Sequence, residues 1–167
     1  MNSRETLGVD IGGVIIARAG AGEDTSFSSE NYLEAREVTD AFEVLKRLVN
    51  ERFGRRVFLI SKAGPRVRAK TMHWLKHHRF FERTGAKAKQ VLFCLERSHK
   101  APLCRELGIT HFVDDRLDVL QSLKTVLYRF LFDPGLRARN VSPAPAGSIH
   151  TVTSWDEIGA ALLQRSR

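Results

Sequence analysis

Leu7-Gly8-Val9-Asp10-Ile11-Gly12-Gly13-Val14 is the stretch on which the fold turns. An apolar run that begins at Thr6 ends in a carboxylate, and a pair of glycines follows at once. A strand covered on both faces ends this way where the chain turns sharply and brings its backbone close to a ligand, since glycine has no Cβ. A plainer reading competes with this one. Aspartate is also a good turn and helix cap, so Asp10 could serve the backbone alone.

Four further apolar runs follow: Arg56 to Ile60, Gln90 to Leu95, Thr110 to Val113 and Thr125 to Phe132. Val, Ile, Leu and Phe dominate them without polar alternation, and segments of helical period separate them. The alternation predicts an α/β fold, a doubly wound parallel sheet of about five strands with helices on both faces and the outer two strands at its edges. One helix is expected over Asp40 to Asn50, with Phe42, Leu45 and Val49 inward and Asp40 and Glu43 as a capping box. A second runs from Pro65 to His78, with Val67, Thr71, Trp74, Leu75 and His78 on one stripe. A third spans Lys100 to Leu107 and stops at Gly108. A fourth follows Asp115 with Leu117, Leu120 and Leu123 inward, and the last starts at Ser154, whose hydroxyl caps the turn reached by Glu157. Residues 14–31 read as a flap and the Pro- and Gly-rich residues 133–148 as a loop.

The length of 167 residues fits one domain over 1–167, large enough to bury a core without disulfides. Cys94 and Cys104 lack metal or redox spacing and read as reduced structural thiols. No apolar run approaches the roughly 20 residues of a membrane span, and Arg4, Glu5 and Asp10 stand where a signal peptide would be apolar, so a cytoplasmic protein is expected. The net charge of +8 is uneven: from Arg52 to Arg105 there are fifteen Lys and Arg against Glu82 and Glu96. Segment 52–105 is thus a candidate footprint for nucleic acid or another phosphate-bearing partner, or simply a solvated surface.

In open parallel sheets ligands bind beyond the carboxyl ends of the strands. Strand one ends in Asp10, strand two in Ser61, and strand four in Asp114-Asp115, while Lys100 heads the helix that leads into strand four. A carboxylate to attack, a hydroxyl and an ammonium to hold phosphoryl oxygens, and further carboxylates for a hard cation compose a phosphoryl-transfer site. Each residue also has a structural reading: Ser61 as a turn former, Lys100 as one solvated lysine among many, Asp114-Asp115 as a helix cap. Two adjacent acids at a strand end nevertheless repel unless a cation or base is present. Asp118 reads as an exposed helical acid. His73 and His77 have the i, i+4 spacing of a zinc pair but no third ligand in the sequence, and Trp74 beside them reads as core.

These motifs, in this order and each at its strand end, resemble the haloacid dehalogenase (HAD) superfamily from Thr6 to about Phe132. The resemblance implies a Rossmann-like sheet without a large cap domain and a hydrolase of the phosphoric monoester phosphatase type. It implies that Asp10 is the nucleophile that forms an aspartyl-phosphate and that Ser61 and Lys100 bind the phosphoryl group. It also implies that Asp10, Asp114, Asp115 and the Gly12 carbonyl hold Mg²⁺. Phosphatases of the superfamily read D-x-D, the second Asp acting as general acid and base, and here that position is Gly12. Loss of such a group slows turnover by about 10²–10⁴. Relatives that remove halide need no Mg²⁺, and the retained Asp114-Asp115 speaks against that branch. Glu23 and Asp24, in the flap, are candidates for a substitute acid.

Three expectations follow: a slow, Mg²⁺-dependent phosphohydrolase open to a small or macromolecular phosphorylated substrate, with an oligomer partner as a lid; a degenerate phosphate-binding or regulatory module; and a nucleic-acid-associated basic protein. None involves a membrane.

Overall fold

A computed structural model describes residues 4–19, 27, 29–136 and 145–164. Six strands form one sheet: β1 (Leu7–Val9), β2 (Val57–Lys62), β3 (Val91–Cys94), β4 (His111–Asp114), β5 (Tyr128–Phe132) and β6 (Ile149–Val152). Their order is β3-β2-β1-β4-β5-β6, and every pairing is parallel. This is the Rossmann-like doubly wound α/β arrangement, with six strands where five were expected. The extra strand, β6, lies at the edge beside β5. Its four residues follow the Pro- and Gly-rich stretch 133–148, of which 137–144 lie outside the described residues, and give too short an apolar signal to stand out.

The helices are α1 (Ala41–Leu48), α2 (Pro65–His77), α3 (Phe80–Thr84), α4 (Lys100–Leu107), α5 (Leu117–Ser122) and α6 (Trp155–Leu163). Side chains alternate across the sheet, so Leu7, Val9, Val57, Leu59 and Val113 meet Phe42, Trp74, Phe80 and Trp155 on one face. Ile60 and Phe112 meet Cys104, Val119 and Leu120 of α4 and α5 on the other. Burial of both faces is why the strand sequences are apolar throughout.

Several local expectations are corrected. Asp40 sits in the left-handed region, φ 64°, and makes no side-chain cap; the backbone reversal before α1 displaces the expected capping box. Ser154, by contrast, accepts the Glu157 N–H at 3.1 Å. Leu117 and Val67 are exposed rather than inward, each lying in the first turn of its helix beyond the reach of the sheet. The short α3, with Phe80 and Thr84 buried, escaped the periodicity because five residues hold barely one turn. Val14, Ile15 and Ile16 are buried core residues and do not belong to the expected flap, of which residues 20–26 and 28 lie outside the described residues.

His111, in β4, lies between Phe53 and Tyr128 and is almost fully buried. Burial, aided by the charge of Arg52, lowers its pKa from 6.5 to about 4. Between those values the unfolded chain binds a proton that the folded chain refuses. The stability linked to His111 is therefore complete above about pH 6.5 and falls as pH drops toward 4. The expected slope is about 1.4 kcal/mol per pH unit. It is read as the difference in unfolding free energy between the protein and His111→Phe, which cancels the carboxylates that titrate in the same range. Parallel pH profiles for the two proteins would contradict it.

Candidate active site

The strand order reverses between β1 and β4: the chain leaves β1 for β2 and β3 on one side and leaves β4 for β5 and β6 on the other, and the carboxyl ends of β1 and β4 form the crevice where open α/β sheets bind ligands. Val9 pairs with Val113, and the Asp10 N–H continues the ladder by donating to the Val113 carbonyl at 2.9 Å. The next residues, Asp10 and Asp114, consequently stand side by side.

Lys100, the first residue of α4, joins them. Its Nζ donates to Asp10 Oδ1 at 3.0 Å and to Asp114 Oδ2 at 2.8 Å, and its side chain is 3% exposed. The ammonium lies 5.7 Å from the Phe112 ring centroid. Phe112 in turn lies across Gly8, where an added Cβ would meet the ring at 2.5 Å. Gly8 thus makes room for the ring beneath the lysine, a packing role that its place in an apolar run did not disclose.

Asp114 is fully buried and satisfied: its Oδ1 accepts the Arg116 N–H at 3.0 Å while Oδ2 holds Lys100. Asp115 faces the other way, toward Arg18, whose Nη2 and Nε donate to Asp115 Oδ2 at 2.6 and 3.2 Å. Asp115 Oδ1 is buried without a hydrogen-bond partner among the described residues. One ligand oxygen from each of Asp10, Asp114 and Asp115 lies within 4.8 Å of the others.

The cluster is short of positive charge. Burial raises the Asp10 pKa despite the pull of Lys100. Burial and then the Asp10 charge push Asp114 up to about 7. For Lys100 burial acts in the opposite sense, but the two carboxylates outweigh it and raise the ammonium pKa. A further cation would relieve both carboxyl groups.

After Asp10 the chain knots tightly. The Ile11 carbonyl accepts the N–H groups of Val14, Ile15 and Ile16, and the Gly13 N–H donates to Ile16 at 2.8 Å. Trp155 Nε1 fixes the knot from below by donating to the Val14 carbonyl at 2.7 Å. Gly13 has φ 78°, and a Cβ there would meet Asp115 Oδ2 at 2.4 Å and Arg18 Nε at 2.8 Å, so glycine is required at 13. Gly12 differs: it is exposed, with nothing within 4 Å of an added Cβ. Its carbonyl accepts no hydrogen bond from any described residue.

Ser61 stands half-buried near the carboxyl end of β2, opposite Phe93 of β3, and its hydroxyl makes no hydrogen bond among the described residues. Glu23 and Asp24 lie outside the described residues. Asp118 is an exposed acid paired with Arg116. His73 is hydrogen-bonded to Tyr32 at 2.6 Å. Among the described residues the acids at 10, 114 and 115 are the one His, Cys, Asp or Glu group close enough to hold a metal, which leaves the His73 and His77 pair without a third ligand. Trp74 is core, with Nε1 donating to Ala35. Cys94 and Cys104 are buried free thiols.

Arg18 is the site residue that sequence reasoning missed. It lines two cavities, one of about 660 Å³ that includes Asp115 and reaches Leu131 and Pro134 and one of about 390 Å³ beside Gly12 and Phe27. A pair that spans 97 positions leaves no local spacing to detect.

The basic segment is divided between two ends of the sheet. Lys62, Arg66 and Arg97 are exposed at the carboxyl end of β2 and β3, and Arg55, Lys87 and Lys89 at the amino end. Others serve the fold: Arg52 pairs with Glu5, Arg83 with Glu37, and Lys70 donates to the carbonyls of Phe27 and Ser29. No described helix is long and apolar enough to cross a membrane. Neither a protein-family model nor a curated protein matches the chain.

Proposed function

We propose that the protein is a Mg²⁺-dependent phosphohydrolase of the HAD type that works through an aspartyl-phosphate on Asp10 and turns over slowly. The observation that carries this reading is the convergence of Asp10, Asp114 and Asp115 with the buried Lys100 at the point where the strand order reverses.

The residues fit a hard cation that binds oxygen. The Asp115 Oδ1 and the Gly12 carbonyl, both without a hydrogen-bond partner among the described residues, and the buried carboxyl groups at 10 and 114 that share one ammonium all favour one. Asp10, Asp114, Asp115 and the Gly12 carbonyl would hold it. When bound, Mg²⁺ supplies positive charge that keeps the carboxylates ionised and offsets charge on the phosphoryl oxygens.

The protein's own groups do the rest. Lys100 fixes Asp10 Oδ1 and leaves Oδ2 to attack phosphorus, while the ammonium and the unengaged Ser61 hydroxyl are donors for phosphoryl oxygens. As the Asp10–phosphorus bond forms, the bond to the ester oxygen breaks and the leaving group departs with the electron pair as an alkoxide or phenolate, which takes any proton it needs from solvent. Water then attacks the aspartyl-phosphate, releasing inorganic phosphate and restoring Asp10. No side chain at 12 gives the leaving group its proton or takes one from that water, so leaving groups that need no proton are preferred. Asp10 keeps 10% side-chain exposure, which is the opening for substrate. Lys62, Arg66 and Arg97, none with an ion-pair partner among the described residues, make the rim suitable for a phosphorylated macromolecule or polyanion.

Gly12 also favours a second reading, a phosphate-binding regulatory module on the same residues. Turnover of p-nitrophenyl phosphate with Mg²⁺ tests the two directly. Activity lost in Asp10→Asn supports the enzyme, and an inactive protein that still binds phosphate and Mg²⁺ supports the module.

Arg18 competes with the cation for Asp115. Its side chain is 69% exposed, so the pair is screened and weak. Arg18→Ala is expected to bind Mg²⁺ about two- to fivefold more tightly, measured by titration calorimetry or by the Mg²⁺-induced rise in thermal midpoint. Weaker binding in the variant would show that Arg18 supports the cation site instead.

A further inference from the structure

At the opposite end of the sheet a cavity of about 560 Å³ is lined by Arg55, Phe58, Lys87, Ala88, Lys89 and Gln90. Its volume suits a small organic ligand. Among the described residues that line it, three are cations and none is an acid. Arg55, Lys87 and Lys89 are exposed and have no ion-pair partner among the described residues. A concave wall with one sign of charge concentrates counter-ions, so these cations select an anion.

The frame of the cavity is fixed. Gln90 is 6% exposed and spends both ends of its amide on the walls: Nε2 donates to the Arg55 carbonyl, and Oε1 accepts the Lys87 N–H at 3.2 Å. The turn that carries Arg55 and the turn that carries Lys87 and Lys89 are therefore tied together before any ligand arrives. Phe58, half-buried in β2, gives the wall an aromatic surface.

We infer that this cavity binds a nucleoside phosphate, with the phosphates against Arg55, Lys87 and Lys89 and the base against Phe58. Inorganic phosphate alone would leave the aromatic wall unused, and a volume of about 560 Å³ matches one nucleotide better than an extended strand. Phe58 pairs with Gly8, two residues before Asp10, so along the strands the aromatic wall lies about 7 Å below the level of that carboxylate and Arg55 three residues further off; neither Asp10, Asp114 nor Asp115 is among the described residues that line the cavity. The site is thus independent of the proposed hydrolase site, and its failure would leave that reading untouched.

Calorimetric titration of the full chain without divalent cations, using ADP and pyrophosphate as probes, tests the assignment. ADP is expected to bind the protein and Asp10→Asn with equal affinity and to bind more tightly than pyrophosphate. The double variant Arg55→Glu, Lys89→Glu, both at exposed positions, should lose at least about tenfold in affinity, as expected when charge-assisted contacts are removed. Its Mg²⁺-dependent hydrolysis of p-nitrophenyl phosphate should not change. Phe58→Leu should weaken ADP and spare pyrophosphate. No binding of ADP, equal affinities for ADP and pyrophosphate, loss of binding in Asp10→Asn, or binding that survives the charge reversal would each overturn it. So would a short single-stranded RNA that binds more tightly than ADP and loses that advantage in the double variant, since the surface would then be a nucleic-acid contact.

Discussion

Asp10→Asn is expected to reduce Mg²⁺-dependent hydrolysis of p-nitrophenyl phosphate to the rate without enzyme, a loss of at least about 10⁴-fold. An amide is a poor nucleophile and has the same shape as the carboxyl group, so the effect belongs to chemistry. The fold should not suffer. After burial, the Asp10 charge raises the pKa of Asp114 inside a site with one shared ammonium, and removing that charge relieves the repulsion. The thermal midpoint without metal should therefore hold or rise. A folded variant with the full rate would remove Asp10 from the mechanism.

Gly12→Asp is the second large effect, and it has the opposite sign. A positioned acid and base contributes about 10²–10⁴ in rate. The structure has room for one, because Gly12 is exposed and a Cβ there meets nothing within 4 Å. The neighbouring Gly13 gives the contrast: its backbone is left-handed and a Cβ would strike Asp115 and Arg18. The missing acid at 12 is thus no requirement of packing. The substitution is expected to raise kcat by about 10² or more on alkyl phosphates, whose leaving groups need a proton, and by less on p-nitrophenyl phosphate. A gain on both substrates from an inactive parent would support the regulatory module. No gain on either would mean that the loop does not aim residue 12 at the reacting oxygen.

Much of the fold was legible because strands covered on both faces carry their signal in composition alone. Leu7–Val9, Val57–Lys62, Val91–Cys94 and His111–Asp114 all lie within the apolar runs or extend them by a residue or two. β6 was missed because Ile149–Val152 is a four-residue edge strand with polar His150 and Thr151, indistinguishable in sequence from the loop before it. The Asp40 cap failed for a backbone reason: a left-handed φ points the side chain away from the turn it was expected to close.

At the site, Asp10, Lys100, Asp114 and Asp115 could be singled out because each is a polar residue that ends an apolar run or heads the helix beside one. The structure brings these four together. Ser61 is placed near its strand end with no hydrogen bond from its hydroxyl among the described residues. Arg18 and Gly8 could not be found in this way. Arg18 meets Asp115 from a distant part of the chain, and Gly8 matters only through the Phe112 ring that passes over it.

The measurement that bears most directly on the central claim is a crystal structure of the protein with Mg²⁺ and beryllium fluoride, which mimics a phosphorylated carboxylate. The account predicts beryllium bonded to an oxygen of Asp10, Lys100 beside its fluorides, and Mg²⁺ on Asp10, Asp114, Asp115 and the Gly12 carbonyl with Arg18 displaced from Asp115. Beryllium fluoride bound away from Asp10, or Mg²⁺ absent from the three acids while Arg18 still holds Asp115, would contradict it.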